Sequence, residues 1–193
     1  MLYATGVPIT GSLKAANITN LYAYDGATGD EQWSKTLTGV IAQTQVVQNT
    51  IYAATLDHSA SSVLYALEAG NGSVIWQQDM AEGSPSLTIA DSEIYVTISP
   101  TNANNDQQPL QMEAFRASDG HIDWQGTRPG LCWAQEPVPT NWAVDGHFLY
   151  LGAFRSNTVS VLDRSSGNLV KTFTVGNGVN PFGGSIIVFS LTD

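Results

Sequence analysis

Ala23-Tyr24-Asp25-Gly26-Ala27-Thr28-Gly29-Asp30-Glu31-Gln32-Trp33 is the stretch whose reading decides the fold. It has the form of a strand end, a tight turn at Thr28-Gly29, and a second strand closing on a large aromatic. The form returns in Ala66-Leu67-Glu68-Ala69-Gly70-Asn71-Gly72-Ser73-Val74-Ile75-Trp76 and in Ala114-Phe115-Arg116-Ala117-Ser118-Asp119-Gly120-His121-Ile122-Asp123-Trp124. A fourth copy, Val161-Leu162-Asp163-Arg164-Ser165-Ser166-Gly167-Asn168-Leu169-Val170-Lys171, carries Lys171 in place of the Trp. The turn glycines stand at 29, 72, 120 and 167, hence 43, 48 and 47 residues apart. A period of this size, built of strands and turns, marks a propeller or a solenoid, whose units bury their apolar faces only against neighbours.

Each position in the motif has a physical task. Glycine supplies the positive φ of a turn between strands, and Thr28, Asn71, Asp119 and Ser166 before it are turn formers. Trp33, Trp76 and Trp124 are large apolar bodies that can wedge between sheets, each with one N–H to place. Packing between units is therefore their expected role, ahead of ligand binding. With Asp25, Gly29, Gly72, Gly120, Asp163 and Gly167 they make up the structural repeat.

The pattern Ala-x-Asp-x-x-Thr-Gly-x-x-x-Trp, complete in the first copy, resembles the repeat of the pyrroloquinoline-quinone-like β-propellers. That superfamily includes quinoprotein alcohol dehydrogenases and outer-membrane assembly scaffolds of the BamB type. The second and third copies keep Ala, Gly and Trp but replace Asp and Thr; the fourth keeps Asp and Gly. The resemblance implies an all-β propeller of four-stranded antiparallel blades in rings of seven or eight.

Residue patterns place the strands. The first unit has Leu2–Thr5, Leu21–Asp25 and Glu31–Leu37, with a polar connection from Gly6 to Asn20. The second has Ala42–Gln48, Ile51–Leu56, Val63–Glu68 and Ser73–Gln78. The third has Ser86–Ala90, Glu93–Ile98, Leu110–Arg116 and His121–Gln125. The fourth opens after an irregular stretch from Gly126 to Pro139, with Asn141–Val144, His147–Ala153, Thr158–Asp163 and Asn168–Val175. Ser185–Leu191 reads as one more strand. No window shows a helical period. Three strands, three units of four and one closing strand make four blades of four. The expectation is a single domain, 1–193, with blades at 1–37 plus 185–191, 40–79, 85–126 and 138–175.

Four blades fall short of the ring that the resemblance implies. A self-closed four-bladed ring, two chains forming one eight-bladed ring, and a piece of a longer chain all satisfy the count. An open arc leaves unpaired strand edges and apolar faces exposed, and two-fold pairing hides them most simply. A homodimer of half-rings is the arrangement expected here.

Composition narrows the function classes. Hydrophobic residues make up 42% of the 193, enough for a core. Seven Lys and Arg stand against 17 Asp and Glu, a net charge of −10, which lacks the basic footprint of a nucleic-acid binder. No apolar run is long enough for a membrane span. Met1-Leu2-Tyr3-Ala4 enters a strand directly and has no signal-peptide pattern. Low Lys with abundant Asn, Thr, Ser and Gln suits an extracytoplasmic protein, periplasmic or at the cell surface. Cys132 is the only cysteine, so the vicinal disulfide implied by the quinoprotein resemblance cannot form within the chain.

Ligand-site candidates are the residues outside the repeat. Trp133, Glu136 and Trp142 bring two aromatics and a carboxylate together, and the glycine-rich stretch with Asn180 and Phe182 adds a second aromatic loop. Flat aromatic faces beside polar groups suit a quinone or a sugar. The competing reading has Trp133 and Trp142 packing the fourth unit against the third. His58, His121 and His147 lack metal-ligand spacing, and no Ser-His-Asp set, P-loop or dinucleotide fingerprint is present. The expected function is a non-catalytic propeller scaffold binding protein or a small ligand, with no cofactor and no metal. The alternative implied by the resemblance is a quinoprotein-type dehydrogenase, or part of one, binding pyrroloquinoline quinone and calcium. Glycan binding through Trp133 and Trp142 is a third possibility.

Overall fold

The computed structural model describes residues 1–6, 18–56, 62–100, 109–128, 142–152 and 158–174. They form 15 strands and no helix, divided between two compact units, Met1–Pro85 and Ser86–Asp193.

The first unit holds two antiparallel sheets. One has three strands in the order β1 (Leu2–Gly6), β2 (Ile18–Tyr24), β3 (Glu31–Thr38); the other orders β4 (Val40–Val47), β5 (Thr50–Leu56), β6 (Val63–Glu68), β7 (Val74–Asp79). The second unit holds β8 (Ser84–Ala90), β9 (Glu93–Ser99), β10 (Leu110–Arg116), β11 (Ile122–Arg128), and then β12 (Trp142–Val144), β13 (Phe148–Gly152), β14 (Thr158–Asp163), β15 (Leu169–Thr174), again as two four-stranded sheets. The four antiparallel sheets, each in sequential up-and-down order, agree with the all-β blade architecture expected. The expected closing strand, Ser185–Leu191, lies outside the described residues.

Two boundaries differ from the sequence reading by three residues, and others by one or two. β2 begins at Ile18, three residues before the expected Leu21. Ile18, Thr19 and Asn20 pair with Thr38, Leu37 and Thr36, and polar Thr19 is buried because its hydroxyl donates to the Gly39 carbonyl at 3.0 Å and accepts from Ile41 N–H at 3.1 Å. Ser62, at the equivalent place before β6, donates to the Gly83 carbonyl at 2.8 Å. β11 runs on to Arg128, so Gly126–Arg128 is strand rather than irregular chain; these residues pair with Leu110–Met112.

All four repeat copies build one outer hairpin. The register slips at the same place each time, at Ala23/Tyr24, Ala66/Leu67, Ala114/Phe115 and Val161/Leu162. The glycines that follow have φ of 78°, 72°, 73° and 68°. Each glycine N–H donates to the carbonyl four residues back (Asp25, Glu68, Arg116, Asp163) at 2.8–2.9 Å. The turn is thus wider than a two-residue turn at Thr28-Gly29: a left-handed glycine and a bulge share the reversal. The residue before the glycine closes it. Thr28 Oγ1, Asn71 Oδ1, Asp119 Oδ1 and Ser166 Oγ each accept the N–H two residues on, at 2.8–3.4 Å.

Cross-strand rows carry the packing. Tyr3, Ala23 and Trp33 stand side by side on three strands, as do Tyr52, Ala66 and Trp76, and Tyr95, Ala114 and Trp124. The central alanine leaves room for the two rings, whose centres lie 6.0–6.3 Å apart in each row. In the fourth sheet the row is Tyr150, Val161, Lys171. One core joins Leu21, Leu37, Tyr3 and Trp33 of the first sheet to Ile51, Ala53, Tyr65 and Leu67 of the second. Another joins Tyr95, Met112 and Trp124 of the third to Trp142, Leu149, Leu151 and Leu162 of the fourth.

Candidate functional site

Trp33 and Trp124 each lie on the turn glycine of the following sheet. A Cβ built on Gly72 would stand 2.6 Å from Trp33 Cε3, and one on Gly167 2.5 Å from Trp124 Cε3. The indole N–H is also placed: Trp33 Nε1 donates to the Ala69 carbonyl at 3.2 Å and Trp124 Nε1 to the Arg164 carbonyl at 3.0 Å. Ala69 and Arg164 both stand three residues before their glycine, so the two contacts are one device used twice.

The most polar constellation of the described residues is built around Arg164, at the hairpin-turn edge of the second unit. Inner and outer turns share that edge, because Ala117 N–H donates to the Ser92 carbonyl at 2.8 Å and Arg164 N–H to the His147 carbonyl at 3.0 Å. Arg164 fills a place held by Gly26, Ala69 and Ala117 in the other copies. Its guanidinium reaches back to the third sheet. Nε donates to Glu93 Oε2 at 2.8 Å and to the Tyr95 hydroxyl at 2.6 Å, and Nη1 to Asp91 Oδ2 at 2.8 Å. Nη1 also bonds the Asp145 carbonyl at 3.2 Å, and Nη2 the Ala90 carbonyl at 3.3 Å. The Tyr95 hydroxyl donates in turn to Glu93 Oε2, and the guanidinium carbon lies 5.8 Å from the Tyr95 ring centre.

Protonation states follow from these contacts. Burial, then the bond to Glu93, pushes the Tyr95 hydroxyl well above its ordinary value, so it stays a donor. Burial works against the Arg164 charge, but its bonds to Tyr95, Asp91 and Glu93 outweigh that and raise its pKa. Asp145 loses some hydration, yet the Tyr150 hydroxyl at 2.7 Å and the N–H groups of His147 and Phe148 at 2.8 and 2.7 Å hold its carboxyl below the usual range. The edge is a locked set of charges, suited to holding two sheets together and presenting acidic groups such as Asp91, whose side chain is 75% exposed.

The structure separates the sequence-derived candidates. Trp142 is 5% exposed in the core between the third and fourth sheets, its ring centre 6.0 Å from that of Tyr95, and its Nε1 has no hydrogen-bond partner among the described residues. Trp133, Glu136, Asn180 and Phe182 lie outside the described residues, as do Cys132 and His58. His121 and His147 stand in turns of different sheets, and among the described residues no group of three His, Cys, Asp or Glu could hold a metal. Asp91 and Glu93 are both bound to the Arg164 guanidinium. Sequence reasoning missed Arg164. The signal was a charged residue where the other copies have Gly or Ala, but its partners stand some 70 positions upstream.

The sequence profile of the family described as "Outer membrane protein assembly factor BamB" matches residues 17–177. The chain belongs to this family. The BamB-family match runs from β2 to β15 and so reaches all four sheets. Among solved structures the chain is similar to BamB from Moraxella catarrhalis, at 19% identity and a TM-score of 0.57, over 81% of this chain and 43% of that one. It is similar to a europium-containing methanol dehydrogenase at 12% identity and a TM-score of 0.57, over 89% of this chain and 39% of that one. It is also similar to the quinohemoprotein alcohol dehydrogenase of Comamonas testosteroni at 13% identity and a TM-score of 0.57, over 82% and 33%. This BamB-family chain therefore spans less than half the length of these three proteins, and at these identities the likeness is one of fold. No curated protein matches the sequence.

Proposed function

We propose that the chain is a non-catalytic propeller scaffold that binds protein, acting outside the cytoplasm as a homodimer. The observation that carries the reading is the use made of the repeat. Trp33 is consumed on Gly72 and Trp124 on Gly167, and the carboxylates at the turn edge are consumed by Arg164 and by turn N–H groups. Among what faces outward are acidic turns and the last described strand, where Leu169, Val170 and Phe173 are open. Such edges and patches suit association with other chains. The family description, an assembly factor for outer membrane proteins, supports both the scaffold role and the location. No helix of the described residues is long and apolar enough to cross a membrane.

Titration with pyrroloquinoline quinone and calcium tests the non-catalytic part. The expected result is unchanged tryptophan fluorescence, no bound chromophore and no dye-linked alcohol oxidation. A stoichiometric chromophore with turnover would replace the scaffold reading by the dehydrogenase one.

A further inference from the structure

The first sheet has the same turn as the second and fourth, and no described residue of its own unit fills it. A Cβ built on Gly29, with φ of 78°, meets no atom within 4 Å, and neither does one on Gly26. The equivalent glycines, Gly72 and Gly167, each carry an indole. The sheet face beside the turn is open as well. Leu2 holds the position of Ile51 in the second sheet, by its pairing with Tyr24 where Ile51 pairs with Leu67. Leu2 is 60% exposed, whereas Ile51 and the corresponding Leu149 of the fourth sheet are 0% exposed. Tyr22 and Tyr24 stack on the same face at 6.1 Å.

The fourth sheet offers the complementary end. Lys171 pairs with Val161 as Trp33 pairs with Ala23 and Trp124 with Ala114. It therefore occupies the position from which the preceding sheet delivers its N–H donor to the turn. Every residue of β15 is exposed, with Phe173 on the side of Lys171 two positions on. The empty turn is acidic, with Asp25, Asp30 and Glu31, whereas the filled turns receive an uncharged indole. A lysine carries its donor on an apolar stem and finds its counter-charges there.

We propose that the Gly26–Gly29 turn of one copy receives Lys171 of a second copy, whose β15 covers the open face of the first sheet. The ammonium takes the Gly26 carbonyl, as the indoles take those of Ala69 and Arg164, and pairs with Asp30 and Glu31; Phe173 packs toward Leu2 and Tyr24. The proposal rests on the homodimer reading and names its junction.

Native mass by light scattering over a dilution series tests both. The wild type should run at about twice the 20.6 kDa chain. Lys171→Glu should raise the dissociation constant at least tenfold, with an unchanged far-ultraviolet spectrum because the residue is exposed. Adding Asp30→Lys and Glu31→Lys to that variant should restore the dimer. A wild-type monomer at every concentration overturns the pairing and the junction together. A dimer indifferent to Lys171→Glu overturns the junction and leaves the pairing standing.

Discussion

The indole of Trp124 covers Gly167 so closely that a methyl group on the glycine would stand 2.5 Å from the ring. Alanine there meets two penalties. A left-handed φ costs about 1–2 kcal/mol, and pressing against a rigid ring adds about 1–3 kcal/mol. Gly29→Ala meets only the first, since nothing lies near its Cβ position. In urea unfolding at low protein concentration, Gly167→Ala should lose about 2–5 kcal/mol and Gly29→Ala about 1–2 kcal/mol. Equal losses would show that the indole does not restrain this position.

Trp124 and Trp142 share one core but differ in their N–H. Trp124 Nε1 bonds the Arg164 carbonyl, whereas Trp142 Nε1 is buried without a partner among the described residues. Trp124→Phe should therefore cost a hydrogen bond, about 0.5–1.5 kcal/mol, beyond the loss of ring volume. Trp142→Phe removes a donor that is already unsatisfied, and its thermal midpoint should fall less. A larger drop for Trp142→Phe would contradict this account.

Removing the Arg164 guanidinium leaves Glu93, Asp91 and the Tyr95 hydroxyl facing one another without a cation. Arg164→Leu should destabilise by about 1–3 kcal/mol, below the range for a fully buried pair because the carboxylates retain water. Arg164→Leu with Glu93→Gln should recover part of that loss. A double-mutant cycle with no coupling would show that the ion pair contributes nothing.

The Asp145 carboxyl is held below its ordinary value by Tyr150 and two N–H groups. A carboxyl with a depressed folded pKa contributes stability that is complete above its unfolded value, near 3.8, and is lost as pH falls through the folded value. Asp25 and Asp163 are lowered in the same direction, Asp25 first by N–H bonds from Ala27 and Thr28, Asp163 first by the hydroxyls of Ser165 and Ser166. Stability should be flat with respect to these groups above about pH 5 and fall below pH 4. Tyr150→Phe should flatten that acid limb, as seen in urea midpoints at pH 3 and pH 6. An unchanged slope would remove Asp145 from the account.

The blades were legible because the sequence repeats its turn. Gly29, Gly72, Gly120 and Gly167 can be found without any structure, and β6, β10 and β14 begin and end where the residue pattern puts them. β2 was harder, because Thr19 and Asn20 look like loop residues until the Gly39 carbonyl and Ile41 N–H are there to satisfy the Thr19 hydroxyl. The Arg164 constellation was not legible at all. Its bonds cross from one sheet to another, and period and turn chemistry report only on neighbours within a hairpin.

The turn-closing contact has a consequence for how such chains diverge. Thr28, Asn71, Asp119 and Ser166 do one job with four different side chains, because the turn asks only for an oxygen within reach of the N–H two residues on. Substitutions among these types leave the hairpin intact, so spelling can drift while the backbone stays. A comparison that scores residue identity loses such a repeat quickly; one that scores acceptor placement beside a left-handed glycine would keep it.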